Sequence, residues 1–465
     1  MENIKLKAFE NNMRGKRVAI VGLGVSNIPL IDYFHDLGAR VTVFDQIDEA
    51  LHDKELIKKI KDYGFELVTG ENALHFLRGF NVIFRSPSLL PTTRQFKAEQ
   101  KRGAIVTYEI EMLMNTCPCK IIGVTGSDGK TTTTTLIYEI LKAGGYNCHL
   151  GGNIGIPLFT KVKDFKEDDI VILELSSFQL MGMEKSPDIS VITNISPNHL
   201  DKHSSYEEYI EAKKNIFAFQ DENGKVVLNY DNDITREMAK EAEGTVEFFS
   251  SKNKISDGIV YEKGMIKECV DGVKKHLIDV QDIHLRGVHN YENICAAIAA
   301  TSGLVSSDVQ VDAIKNFNGV EHRLEFVRKL DGVEWYNDSI GTSPSRTIAG
   351  LNSFRKKIVL IAGGYDKNLD YTPLAQPILK RTSKVILIGK TAKKIEDAIL
   401  KELEGTDRVF PIYRCTSLEQ AVQRARNVAK SGEIVLLSPA SASFDMFKDY
   451  ADRGRKFKEY VNNLK

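Results

Sequence analysis

The run Thr125-Gly126-Ser127-Asp128-Gly129-Lys130-Thr131 has the residue types that hold a nucleoside triphosphate. Glycines let backbone N–H groups turn inward onto phosphate oxygens. Lys130 can reach the terminal phosphates, and the Thr131 hydroxyl can take a Mg²⁺ ion. The loop stands between a strand-like run, Lys120-Ile121-Ile122-Gly123-Val124, and a helix-like run over residues 131–143. A helix N-terminus at that place adds positive potential for the phosphates. The spacing departs from the usual P-loop, because Val124 stands where its first glycine would be, bracketed by Gly123 and Gly126. The alternative is a glycine-rich turn of no function.

Further polar residues follow strand-like runs, and the ends of parallel strands are where such sheets bind ligands. Residues 169–173 lead into Glu174-Leu175-Ser176-Ser177-Phe178-Gln179, and residues 189–193 lead into a loop ending His199-Leu200-Asp201. Glu174 near a triphosphate suits Mg²⁺, which takes carboxylate oxygen and keeps waters; otherwise it is a solvated strand-end acid. His199 reads as a second ligand or phosphate contact, or as a capping or packing histidine. Lys213 and Lys214, on a helix-like run over residues 206–219, read from composition as a solvated helix face. Gly151-Gly152-Asn153-Ile154-Gly155 suits close backbone approach to a ligand. Near the N-terminus, Gly22-Leu23-Gly24 follows a strand, and a second strand ends in Asp45, about 20 residues on, where dinucleotide folds place their ribose-binding acid. Asn27 replaces the third glycine of that fingerprint. The pattern supports a nucleotide-type ligand without identifying NAD, or else a tight turn.

The elements that must carry these residues alternate between strand and amphipathic helix, so an α/β fold with mostly parallel sheets is expected. Three domains are expected: a Rossmann-like domain over residues 1–115, a P-loop domain over 116–319 and a C-terminal Rossmann-like α/β domain over 320–465. Residues 258–280 read as a β-hairpin excursion. Lys+Arg and Asp+Glu both number 63, which argues against a nucleic-acid partner bound through a broad basic face. No apolar run approaches the ~18 residues of a membrane span. Residues 1–16 are polar and do not read as a signal peptide. Six cysteines form no disulfide framework, so a reducing cytoplasm is expected. Cys117-Pro118-Cys119 reads as a loop between domains, the alternative being a metal or redox role, with no second pair at zinc-site spacing.

Together these motifs resemble the Mur ligases, over the whole chain and in the same order. Within that family they look most like the branch that adds D-glutamate to UDP-N-acetylmuramoyl-L-alanine. Glu174-Leu175-Ser176-Ser177-Phe178-Gln179-Leu180 is the most specific element. Gly152-Asn153-Ile154-Gly155, His199-Leu200-Asp201, His289-Asn290-Tyr291-Glu292-Asn293, His322-Arg323-Leu324-Glu325, Asn337-Asp338-Ser339 and Leu437-Ser438-Pro439-Ala440 also fit. Ser127 and Asp128 depart from the family's phosphate loop, Ile340 stands where many members carry lysine, and Ser88 where the family usually has glycine.

The resemblance implies a cytoplasmic, monomeric ATP-dependent amide ligase acting through an acyl phosphate. It implies that Gly126, Ser127, Asp128, Gly129, Lys130, Thr131 and Thr132 bind ATP, with Asn293, Arg323 and Asp338 around its adenine, γ-phosphate and ribose. It also implies two Mg²⁺ ions, with Thr131, Glu174 and His199 as ligands and Lys213 as a carbamylated ligand. Ser26, Asp45 and Gln46 would hold the UDP part. Asn153 and His199 resemble contacts to the muramoyl-alanine end, Ser176 and Gln179 would be further substrate contacts, and Thr342, Lys367, Ser443 and Phe444 would hold D-glutamate. The rivals are another Mur-type or folylpolyglutamate-type ligase, a nicotinamide-dependent oxidoreductase, and a non-catalytic P-loop regulator.

Overall fold

The computed structural model describes residues 3–197, 203–285, 287–366 and 369–465. These residues form three sheets. The first has β1 (Arg17–Val21), β2 (Arg40–Asp45), β3 (Glu66–Thr69), β4 (Val82–Arg85) and β5 (Ile105–Thr107), in the order β3-β2-β1-β4-β5, all parallel. The second has β6 (Lys120–Thr125), β7 (Cys148–Gly152), β8 (Ile170–Glu174), β9 (Ile189–Ile192), β10 (Lys225–Asn229), β11 (Thr245–Ser250), β12 (Gly258–Glu262), β13 (Met265–Val270) and β14 (Val273–Asp279). Its order is β14-β13-β12-β11-β10-β9-β6-β8-β7. The third has β15 (Glu325–Leu330), β16 (Val333–Asn337), β17 (Ile358–Gly363), β18 (Thr382–Ile388), β19 (Ile412–Arg414) and β20 (Ile434–Leu437), in the order β15-β16-β20-β17-β18-β19.

Central parallel strands are covered on both faces, so they read as continuous apolar runs rather than alternating ones. β8, β9, β17 and β20 are buried at every position. In the second sheet the chain leaves β6 for β7 and β8 on one side, then returns to β9 on the other. The ends of β6, β8 and β9 therefore flank a topological switch point, where open α/β sheets bind ligands.

Residues 258–280 make three strands, not one hairpin. β12 pairs in parallel with β11, so the segment extends the central sheet and then turns twice. Each turn is a two-residue pair at positive φ, Lys263-Gly264 and Asp271-Gly272. Such turns match the strand twist and close tight hairpins. The helix expected over 206–219 stops at Lys214, because the Asn215 carbonyl and the Phe219 N–H are both bonded to Ser186 Oγ.

The chain divides into two compact units, residues 1–280 with 291–314, and residues 281–290 with 315–465. The first unit holds the first two sheets, joined by a shared aromatic core. Phe159 packs on Phe9 at 5.5 Å, Tyr33 at 5.1 Å and Phe84 at 6.1 Å between ring centroids. The second unit holds the third sheet. Among the described residues, no helix is long and apolar enough to cross a membrane.

Candidate active site

The phosphate loop starts where β6 ends. Gly126 (φ +148°) and Gly129 (φ +83°) are required by space as well as backbone angle. A Cβ would lie 1.9 Å from Thr193 Oγ1 at Gly126 and 2.2 Å from Asn293 Oδ1 at Gly129. The Ser127-Asp128 departure is absorbed by the loop after β9. Ser127 N–H donates to the Asn194 carbonyl (2.9 Å), Ser127 Oγ to the Ser196 carbonyl (2.9 Å), and Asp128 N–H to Asn194 Oδ1 (3.0 Å). Gly129 caps the helix Lys130–Ala143, whose first turn carries half-buried Thr131 and buried Thr132. Lys130 Nζ folds back onto the carbonyls of Gly126 (2.9 Å) and Ser127 (3.0 Å).

Glu174 ends β8, in register with Val124 of β6. It is 2% exposed, which excludes the solvated-acid reading. Asn153 Nδ2 donates to its Oε1 at 2.8 Å, while Oε2 is buried with no hydrogen-bond partner. Gly152 explains the glycine requirement beside it, since a Cβ there would lie 2.2 Å from the Glu174 carbonyl. The following turn is locked by a capping box between Ser176 and Gln179, and the buried Tyr108 hydroxyl donates to the Gln179 carbonyl. Ser177 Oγ pairs with His203 Nε2 at 2.9 Å.

The two neighbouring lysines have opposite environments. Lys213 is 1% exposed, its Nζ donating to Thr125 Oγ1 (3.1 Å) and the Gly126 carbonyl (2.8 Å). Burial, followed by the Lys130 ammonium, holds this amine well below the usual lysine range, toward its neutral form. Lys214 instead pairs with Glu211 and Glu241, each at 2.9 Å, and those partners raise its pKa against burial. The solvated helix face is therefore Lys214 alone.

In the first sheet, Gly22 meets the loop after β4, where a Cβ would lie 2.8 Å from Ser86 Cβ. Asn27, at the place of the third glycine, donates to the Val21 and Gly22 carbonyls, both at 3.0 Å, and so ties the turn with a side chain. Asp45 accepts from the N–H groups of Leu23 (2.6 Å) and Ile47 (2.8 Å), ordering both strand-end loops. Ser26 is half-buried and Gln46 exposed at the same strand ends.

The second unit places Asp338 just past β16, where Ser438 Oγ donates to it at 2.6 Å. Burial pushes its carboxyl up to about 7. Arg323 and Phe444 are exposed, Thr342 half-buried and Ser443 buried. Arg453 is the residue missed from sequence. Fully buried, it donates to Ser339 Oγ (2.9 Å), the Ser339 carbonyl (2.8 Å) and the Ser441 and Ala442 carbonyls (both 3.1 Å), gathering the loops after β16 and β20. Its only sequence signal is an arginine in the charged run Asp452-Arg453-Gly454-Arg455-Lys456. His199, with Asn198, Leu200 and Asp201, lies outside the described residues, as does Lys367.

The donor set suits Mg²⁺. One buried carboxylate has an unpartnered oxygen, and a helix-start threonine hydroxyl stands at a phosphate loop. Among the described residues, no three His, Cys, Asp or Glu side chains converge to hold a metal. That is compatible with Mg²⁺, which is often held by one or two carboxylates plus phosphate and water.

Mostly parallel sheets with a phosphate loop at a switch point define a nucleotide-binding α/β protein. Three family descriptions match successive parts of the chain: "Mur ligase MurD-like, N-terminal domain" over residues 16–107, "Mur ligase middle domain" over 124–301 and "Mur ligase, glutamate ligase domain" over 322–441. Among curated relatives, a UDP-N-acetylmuramoylalanine--D-glutamate ligase of Acetivibrio thermocellus is 48% identical, covering 99% of each chain. One of the same name from Ruminiclostridium cellulolyticum is 47% identical over the full length of both. The chain belongs to the Mur ligase family. Its fold is similar to that of UDP-N-acetylmuramate-alanine ligase MurC from Thermotoga maritima (TM-score 0.57, 18% identity, 97% of this chain and 100% of that one). It is also similar to a UDP-N-acetylmuramoyl-L-alanyl-D-glutamate--2,6-diaminopimelate ligase (TM-score 0.55, 17% identity, 97% and 93%).

Proposed function

We propose that the enzyme joins D-glutamate to UDP-N-acetylmuramoyl-L-alanine, converting ATP to ADP and phosphate, in peptidoglycan precursor synthesis. The observation that carries this reading is the buried Glu174 carboxylate, with one unpartnered oxygen, set beside a phosphate loop and a buried lysine. The full-length identity to ligases of that name supports the choice of substrates.

A free carboxylate is a poor electrophile, so it must first gain a leaving group. The alanyl carboxylate oxygen attacks the γ-phosphorus of ATP, the bond to ADP breaks, and an acyl phosphate forms. The amine of D-glutamate then attacks the acyl carbon; phosphate leaves from the tetrahedral intermediate, the nitrogen gives up its proton, and the amide remains. We assign Gly126, Ser127, Asp128, Gly129, Lys130, Thr131 and Thr132 to the triphosphate. Asn293, Arg323 and Asp338 are assigned to the rest of the nucleotide. Ser26, Asp45 and Gln46 are assigned to the UDP group, Asn153, Ser176, Gln179 and His199 to the muramoyl-alanine end, and Thr342, Lys367, Ser443 and Phe444 to D-glutamate.

Thr131, Glu174, His199 and Lys213 are assigned to Mg²⁺, which when bound neutralises charge on the transferring phosphoryl group. Lys213 can serve only as a carbamate, formed when its neutral amine attacks the carbon of CO₂ and loses a proton. The burial that favours the neutral amine supports this role. Free thiols at all six cysteines suit a reducing cytoplasm, where we place the enzyme as a monomer.

The test is phosphate release from ATP with UDP-N-acetylmuramoyl-L-alanine and, in turn, D-glutamate, L-glutamate, L-lysine or meso-diaminopimelate, with products weighed by mass spectrometry. Release and a new amide are expected with D-glutamate only. ATP binding without release for any amino acid overturns the assignment.

A further inference from the structure

The ligation chemistry makes no use of Cys117-Pro118-Cys119, yet its two sulfurs lie 3.4 Å apart. The segment joins the helix Glu109–Thr116 to β6, the strand that ends in the phosphate loop. Pro118 restricts the backbone between the two thiols, so their approach is set by the chain itself. Both residues are mostly but not wholly buried, at 6% and 8% exposure, and both are free thiols. Opposite charges flank the segment: Lys185 Nζ donates to the Met114 carbonyl of the preceding helix (2.5 Å), and Asp188 Oδ2 accepts from the Ile121 N–H of the following strand (2.7 Å).

The two sulfurs are chemically unequal. Hydrogen bonding from Cys119 pulls the Cys117 thiol down against burial; the Asp188 carboxylate opposes this and the Lys185 charge assists it. The same pairing, with burial, pushes the Cys119 thiol up. Cys117 is therefore the sulfur that gives up its proton more readily, the order in which a nucleophilic cysteine has a resolving partner.

We propose that Cys117 and Cys119 are a redox modification site, closing to a reversible intramolecular disulfide when the protein meets a small peroxide. The Cys117 thiolate attacks a peroxide oxygen; the O–O bond breaks, leaving a Cys117 sulfenic acid and hydroxide, which is protonated to water. The Cys119 sulfur attacks the Cys117 sulfur; the S–O bond breaks, and the departing hydroxide takes the Cys119 proton as a second water. Two thiols are oxidised by two electrons, and one hydrogen peroxide is reduced to two waters. The sulfurs must close from 3.4 Å to about 2.05 Å for the bond to form.

The wild-type chain supplies the test without any variant. Tryptic cleavage after Arg102 and Lys120 releases residues 103–120, which carry both cysteines and no other. Full-length protein is reduced, treated with hydrogen peroxide, alkylated while denatured, and mapped by mass. This peptide is expected to escape alkylation and to weigh about 2 Da less than its reduced form, returning to the dithiol with dithiothreitol. Cys148, Cys269, Cys295 and Cys415 should stay alkylated under the same treatment. In Cys119→Ser the resolving sulfur is absent, so Cys117 should accumulate as a sulfenic acid that dimedone traps. Full alkylation of the wild-type peptide after peroxide, or its conversion to sulfinic acid in place of the disulfide, overturns the proposal.

Discussion

Replacing Glu109 with glutamine should remove a pH dependence that one buried carboxyl imposes on the first unit. Glu109 begins the helix Glu109–Thr116, and its Oε1 accepts from the N–H groups of Leu158 (2.7 Å) and Phe159 (2.8 Å). Phe159 is the ring on which the first two sheets share a core, so this carboxyl sits at their junction. It is 3% exposed, and burial outweighs both hydrogen bonds, pushing it from 4.5 up to about 7. Between those values the unfolded chain has released the proton and the folded chain still holds it. The folded state binds more protons there, so stability is fully present below pH 4.5 and falls as pH rises to about 7. At 1.36 kcal/mol per unit, the span sets an upper limit of about 3 kcal/mol. Glu109→Gln keeps an oxygen acceptor for both N–H groups and cannot ionise. Urea unfolding of wild type and variant at pH 5 and pH 8, followed by far-ultraviolet circular dichroism, reads the double difference. Other titrating groups cancel in it. Because pH 5 already lies above 4.5, the variant should gain on wild type by up to about 2.5 kcal/mol between the two pH values. Equal pH dependence in the two proteins, or a variant that loses ground at pH 8, refutes the reasoning.

The remaining expectations concern the site. Lys130→Ala and Glu174→Ala should each lower ligation roughly 10²-fold or more, with unchanged circular dichroism; near-normal turnover in either removes that residue from the chemistry. Lys213→Ala should be inactive and partly restored by a small added carboxylate such as formate, whereas Lys214→Ala should keep near-full activity, since it loses only surface pairs worth at most about 1 kcal/mol. Full activity of Lys213→Ala without added acid excludes the carbamate. Gly129→Ala should destabilise by about 1–2 kcal/mol from its positive φ alone and weaken ATP binding in calorimetry, because its Cβ collides with Asn293. Unaltered ATP affinity would show that the loop tolerates the shift.

The sequence features that proved legible are those set by local backbone physics. Continuous apolar runs mark β8, β9, β17 and β20 because parallel strands are buried on both faces. The phosphate loop is legible because few residues besides glycine accept its angles and clearances. The second turn of residues 258–280 has its own signal in Asp271-Gly272, a pair that suits a tight hairpin turn. What composition left open was decided by contacts distant along the chain. Lys213 and Lys214 are the same residue type one position apart, and composition alone makes both a solvated face. They part only because Lys213 reaches Thr125 and Gly126, which the sequence places 88 and 87 residues away. Arg453 likewise reaches back 114 residues to Ser339 from a helix that otherwise reads as charged surface. Asn27 does with two side-chain hydrogen bonds what a third glycine does with backbone freedom, so the glycine fingerprint looked incomplete where the turn is in fact tied. A polar residue gathers loops from different strands through partners that no local window contains. Buried cations of this kind, Lys213 and Arg453, are consequently the residues that sequence patterns most readily assign to solvent.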